Sequence, residues 1–172
     1  KGEKALFNSL MYFASINLFL SPIMIMMPMI ATTYYAGNSV ALAMMEGCYS
    51  GGLIVMSIFL NRNKRVFNRH RAIFLGIMSI GLCMSTIGFV RIALLVYLLL
   101  FICGAMLSLV NVSLGSIFQL YVPQEYKGRF FSLMQVTTRA ASPIGFALVG
   151  LLSDKFGVCQ IILINGLVIV AL

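Results

Sequence analysis

Residues 72–120 run for 49 positions with a single charged side chain, Arg91. One α-helix of that length would extend roughly 73 Å, more than twice the roughly 30 Å hydrocarbon thickness of a bilayer. The chain therefore has to fold back within the stretch. Arg91, just after Gly88, is where a charge can reach the interface, so the sequence predicts a tight turn there between helices of about 72–90 and 92–120. The second is long enough to tilt or to project into the headgroups.

The rest of the chain has the same character. Only 9% of residues are charged and the mean hydropathy is +1.03, more apolar side chain than 172 residues can enclose in a core of their own. Lipid must act as part of the solvent. Further predicted spans are about 5–31, 39–60, 130–152 and 156–172. The polar stretch Thr32 to Asn38, after Pro28, reads as a loop with a tyrosine pair at the interface. Residues 61–71 form a basic loop, and Ser153 and Asp154 are placed to cap the last span. The fold class expected is an all-α, six-helix transmembrane bundle.

The net charge of +8 comes from Lys and Arg set between apolar runs, without the aromatic interleaving of a nucleic-acid surface, so topology accounts for it and no nucleic-acid partner is expected. Nine Lys and Arg fall on one side of the spans and two, Arg91 and Lys155, on the other. The positive-inside rule then puts both ends of the chain in the cytoplasm, in a multi-pass protein of the cell (plasma or inner) membrane. The chain starts at Lys1 without a signal-peptide pattern and stops inside an apolar run, so it is expected to be truncated at both ends. Cys48, Cys83, Cys103 and Cys159 all lie in apolar segments with no CxxC. They read as small apolar residues, not as a metal site or a disulfide framework.

Small residues recur four apart in Gly47/Gly51, Gly104/Ser108 and Ala141/Gly145, the spacing of close helix contacts in membranes. The methionines of the first span (Met24, Met26, Met27, Met29) are either packing and lipid-facing residues or the lining of an adaptable apolar cavity. Two ionisable residues sit deep in spans: Glu46, roughly 12 Å in from one interface, and Arg139, roughly 15 Å in from the other. Such groups cost several kcal/mol in lipid unless paired or hydrated. Two readings stand: Glu46 titrates, with Arg139 as partner or as the charge that resets its pKa, or the pair is a fixed register lock. Asn17, Asn111 and Gln135 are candidates for lining a cavity, the alternative being interhelical hydrogen bonds of about 1 kcal/mol each. Pro143, between Arg139 and Gly145, is the proline placed to kink a helix at a transport site. No hydrolase or phosphate-binding motif occurs, so no enzyme is expected.

The stretch Asn111 to Gly157 carries a resemblance. Its segments Val-Pro-Gln-Glu-Tyr-Lys-Gly-Arg-Phe-Phe-Ser (122–132), Ala-Ser-Pro-Ile-Gly (141–145) and Gly-Leu-Leu-Ser-Asp-Lys-Phe-Gly (150–157) resemble helices 10 to 12 of major facilitator superfamily exporters. The branch resembled is that of the drug:proton antiporters, which includes macrolide-efflux and enterobactin-exporter-like proteins. The resemblance implies the second half of a twelve-helix transporter, helices 7 to 12, partnered by an N-terminal six-helix half of the same protein. It also implies that Pro123, Glu125, Gly128 and Arg129 belong to a cytoplasmic gating loop, and that Pro143 and Gly145 stand in a degenerate counterpart of the antiporter glycine-proline motif. The loop at 61–71 keeps only the basic character of the first-half Gly-x-x-x-Asp-Arg-x-Gly pattern. The 150–157 segment resembles that pattern superficially, and charge counting places it outside.

The function expected is secondary active transport: proton-coupled efflux of amphipathic small molecules, with the lipid bilayer and the substrate as partners, no metal or cofactor, and the proton gradient as energy source. The alternatives are uptake of a metabolite or lipid by the same fold, or a membrane sensor or scaffold that does not transport.

Overall fold

The computed structural model describes residues 23–63 and 68–171. Six α-helices follow one another there: α1 Ile23–Tyr34, α2 Ser39–Arg62, α3 Arg69–Phe89, α4 Ala93–Tyr121, α5 Lys127–Phe156 and α6 Val158–Ala171, with a 3-10 turn at Gln124–Tyr126. No strand occurs among the described residues. Three helices, α2, α3 and α4, are long and apolar enough to cross a membrane. Shorter apolar helical stretches are Ile23–Tyr34, Pro143–Leu152 and Val158–Val170.

Local chemistry sets the helix ends, in places against the sequence expectation. Thr32 and Thr33 are helical, not loop: the Thr32 hydroxyl donates to the carbonyls of Pro28 (3.1 Å) and Met29 (3.0 Å), so the polar side chain is satisfied by its own helix. The turn is confined to Tyr35 to Asn38. There the Gly37 N–H reaches back to the Ala31 carbonyl at 3.0 Å, with Ala36 at φ +51° and Gly37 at φ +72°, a left-handed stop carried by an alanine as well as a glycine. Asn38 then opens α2, its side-chain oxygen accepting from the Val40 N–H at 2.9 Å, a helix N-cap.

Helix α3 begins at Arg69, before the apolar run, because a basic turn is free to stay helical at the headgroups. Between α3 and α4 only Val90, Arg91 and Ile92 are non-helical. Ser153 and Asp154 lie inside α5 and so do not cap α6. The break falls at Gly157, whose φ of +79° ends α5 where a side chain would be strained.

Helix α4 packs against both α2 and α3, and α6 packs on α3. Glycines permit these approaches. A Cβ on Gly52 would overlap the Phe101 carbonyl oxygen and lie 2.9 Å from the Ala105 nitrogen; one on Gly104 would overlap the Tyr49 carbonyl oxygen and lie 3.2 Å from the Leu53 nitrogen. The α3–α6 contact repeats the device, with a Cβ on Gly81 falling 2.8 Å from the Gly166 oxygen and one on Gly166 2.7 Å from the Gly81 oxygen. The Gly104/Ser108 pair does lie in the interface: both residues are buried, and the Ser108 hydroxyl hydrogen-bonds that of Ser57 across it at 2.8 Å. The Gly47/Gly51 pair does not serve this way. Gly47 faces open space and Gly51 only touches the Phe101 ring; the contact glycine is Gly52.

The core they enclose is apolar, with Met26, Met27, Met45, Ile80, Leu100 and Ile162 among its buried members. Met26 and Met27 are therefore packing residues, while Met24 faces outward. All four cysteines are free thiols, with Cys103 fully buried.

Candidate functional site

Glu46 lies in the first half of α2 and its side chain is exposed, although its neighbour Met45 is wholly buried. That contrast fixes the rotation of the helix. Met45, Tyr49 and Gly52 turn inward toward α4, and Ala43, Glu46, Gly47 and Ser50 turn outward, the three-to-four residue repeat of one helical face. The open space at Gly47 continues this unpacked face.

Helix α5 repeats the pattern. Gln135, Arg139 and Pro143 are spaced four apart and all are exposed, whereas Gly145 and Val149 turn inward. An amide, a guanidinium and a helix-interior proline thus share one side of α5, a helix that also exposes Leu133, Val136, Ile144, Leu148 and Leu151. Pro143 removes one backbone donor from the middle of α5, leaving a carbonyl one turn earlier without its helical partner. Asn111 is exposed on α4.

The structure brings Gln135, Arg139 and Pro143 together on one face and keeps the two charged groups on different helices. Helix α2 packs on α4 and α1, while α5 meets α6, with no extended contact between α2 and α5. Asn17 lies outside the described residues.

The connection from α4 to α5 is built on an aromatic cluster. Phe118, Val122 and Phe130 are buried together, with the Phe118 and Phe130 rings 5.1 Å apart and inclined by 58° and Phe131 edge-on to Phe130 at 5.8 Å. Above it Pro123 leads into the 3-10 turn, closed by the Tyr126 N–H donating to the Pro123 carbonyl at 3.0 Å. Pro123, Glu125, Gly128 and Arg129 are all exposed on this connection, and Gly128 has open space beside it. Apolar residues anchor the turn from beneath while its polar residues stay accessible.

At the opposite end of the bundle lies a cluster that the sequence did not single out. The Arg91 guanidinium stands over the Tyr34 ring, 5.7 Å from its centre, the Tyr35 hydroxyl donates to the Arg91 carbonyl at 3.3 Å, and the Tyr34 hydroxyl hydrogen-bonds the Cys159 sulfur. Burial, and then nearby Tyr97, push the Tyr35 phenol above its usual pKa, so it stays a neutral donor. The end of α1, the α3–α4 turn and the start of α6 are tied together there. The tyrosine pair and the isolated arginine were the available signals, but nothing in their spacing pairs residues 57 positions apart.

A bundle of long apolar helices with ionisable side chains part-way along them is that of a polytopic membrane protein. The chain belongs to the transmembrane secretion effector family of the major facilitator superfamily, whose model matches residues 3–172. Macrolide efflux protein A of Streptococcus pyogenes is 28% identical over 160 residues, covering 88% of this chain and 38% of the relative. The protein of that name from Streptococcus pyogenes serotype M6 (strain ATCC BAA-946 / MGAS10394) matches to the same extent. The chain thus spans 38% of the length of the curated relatives it matches. No solved structure matches it.

Proposed function

We propose that the chain supplies six transmembrane spans, the second half of a twelve-helix major facilitator transporter, and that the whole protein exports amphipathic small molecules in exchange for protons. The observation that carries this reading is the pair of open polar faces, Glu46 on α2 and Gln135–Arg139–Pro143 on α5, in a chain whose family model covers residues 3–172. An ionisable side chain facing hydrocarbon is penalised by several kcal/mol. The two faces are therefore assigned to a hydrated cavity between this half and an N-terminal six-helix half, not to lipid. Asn111 and Asn17 are assigned to the same cavity.

In this mechanism Glu46 binds and releases the coupled proton. Arg139 is assigned as the opposite charge facing the same cavity, its separation from Glu46 changing with substrate and with access. The two halves rock about the site to open it alternately to either side, with Gly128 and Arg129 in the cytoplasmic gate and both ends of the chain in the cytoplasm. The macrolide-efflux name of the relatives supports export of bulky amphipathic compounds.

The test is dye efflux from cells expressing the full-length protein, with and without a protonophore, for wild type and Glu46→Gln. Protonophore-sensitive efflux that Glu46→Gln abolishes at unchanged expression is the expected result. Efflux that persists in the variant removes Glu46 from coupling, and dye accumulation in place of efflux favours uptake.

A further inference from the structure

The basic end of α3 carries a groove that none of the transport machinery above uses. It has a volume of ≈350 Å³ and is lined by His70, Arg71, Phe74 and Leu75, which fall on one stripe of the helix because they are one, four and five residues apart. All four are exposed, Phe74 at 63% and Leu75 at 59%. The groove surface is almost wholly carbon, and we propose that it receives the start of an acyl chain of an anionic phospholipid over Phe74 and Leu75, with His70 and Arg71 holding the phosphodiester at its rim.

Three features point to that occupant. Residues 61–71 contain Arg62, Lys64, Arg65, Arg69, His70 and Arg71 and no Asp or Glu, so no side chain in the loop competes for the cations. Arg62 closes α2 and Arg69 opens α3, which sets the positive charge at the level where an apolar helix enters the headgroups. The apolar part then continues inward. Leu75, Leu82 and Phe89 recur every seven residues and are 59%, 56% and 73% exposed, an outward track roughly 21 Å long at 1.5 Å per residue. An acyl chain lying along that track covers apolar surface while its headgroup remains beside Arg71. Cationic side chains at one end and exposed apolar residues at intervals below them match a lipid and not a soluble phosphoester.

The orientation proposed above would place this lipid in the inner leaflet; the groove itself does not depend on that orientation. The experiment uses the full-length protein with Phe74→Trp as a local reporter, reconstituted in phosphatidylcholine vesicles containing brominated phosphatidylglycerol or brominated phosphatidylcholine. Quenching relative to the protein without Phe74→Trp isolates the reporter. The expected result is preferential quenching by phosphatidylglycerol by about fivefold, the effect of one basic residue at an anionic surface, lost in His70→Gln/Arg71→Gln and retained in Arg71→Lys. Equal quenching by both lipids overturns the proposal, as does release of the quenching by millimolar glycerol phosphate, which would make a soluble phosphoester the ligand. Tryptophan emission in pure phosphatidylcholine, unchanged between variants, shows that the double variant is folded. Both leaflets carry the brominated lipid, so quenching is independent of orientation. Labelling of Asn63→Cys from outside intact cells by an impermeant maleimide would refute the orientation alone.

Discussion

Replacing Gly52 by alanine tests the helix packing most directly. The added methyl would overlap the Phe101 carbonyl oxygen and lie 2.9 Å from the Ala105 nitrogen, both backbone atoms of α4, so no side-chain rotation relieves it and α2 must move away. Overpacking of this kind costs typically about 1–3 kcal/mol, and separating the helices also strains the Ser57–Ser108 hydrogen bond of 2.8 Å. Alanine regains up to about 1 kcal/mol of intrinsic helix preference over glycine. The net expectation is a loss of about 1–2 kcal/mol. Gly47→Ala is the internal control: its Cβ meets nothing within 4 Å, so only the helix-preference gain remains and the variant should be as stable as wild type or more so. The assay is unfolding of the purified full-length protein in mixed micelles of increasing SDS content, followed by circular dichroism. If Gly52→Ala and Gly47→Ala unfold together, the α2–α4 contact through Gly52 and Gly104 is not the one described.

Two further outcomes are expected. A double-mutant cycle over Ser57→Ala and Ser108→Ala, read by the same unfolding assay, should give a coupling of about 0.6 kcal/mol, the usual value for hydrogen bonds between membrane helices; zero coupling would place the two hydroxyls apart. Tyr34→Ala should remove both the ring beneath Arg91 and the hydroxyl bonded to Cys159, so a maleimide should modify Cys159 severalfold faster in the variant, and an unchanged rate would deny that Tyr34 shields the thiol.

Helical content and the fold-back at Arg91 were legible because they follow from solvation along the chain. A 49-residue apolar run exceeds the bilayer, and a lone arginine has to reach its edge. Glu46 and Arg139 stand out in the sequence for the same reason, since an ionisable residue inside an apolar run is conspicuous in one dimension; the structure adds that both are exposed and lie on different helices. Helix ends were harder. Thr32 is polar enough to read as loop, yet its hydroxyl is satisfied within its own helix, while Ser153 and Asp154 look like caps but precede the true break at Gly157.

By itself the sequence determined that this protein is helical and lipid-solvated, where it must turn, and which residues are too polar to be left in hydrocarbon, because each of these depends on the transfer energy of successive residues along one chain. Only the tertiary structure decided that Gly52 and not Gly47 meets α4, that Tyr34 joins Arg91 to Cys159, and that the face shared by Gln135, Arg139 and Pro143 is left unpacked. Those outcomes depend on the rotation of each helix about its axis, and a helix that is apolar on nearly every side has no hydrophobic stripe from which the rotation can be read. In such a chain close packing of small residues against backbone selects the rotation, and it does so only when the neighbouring helices are in place.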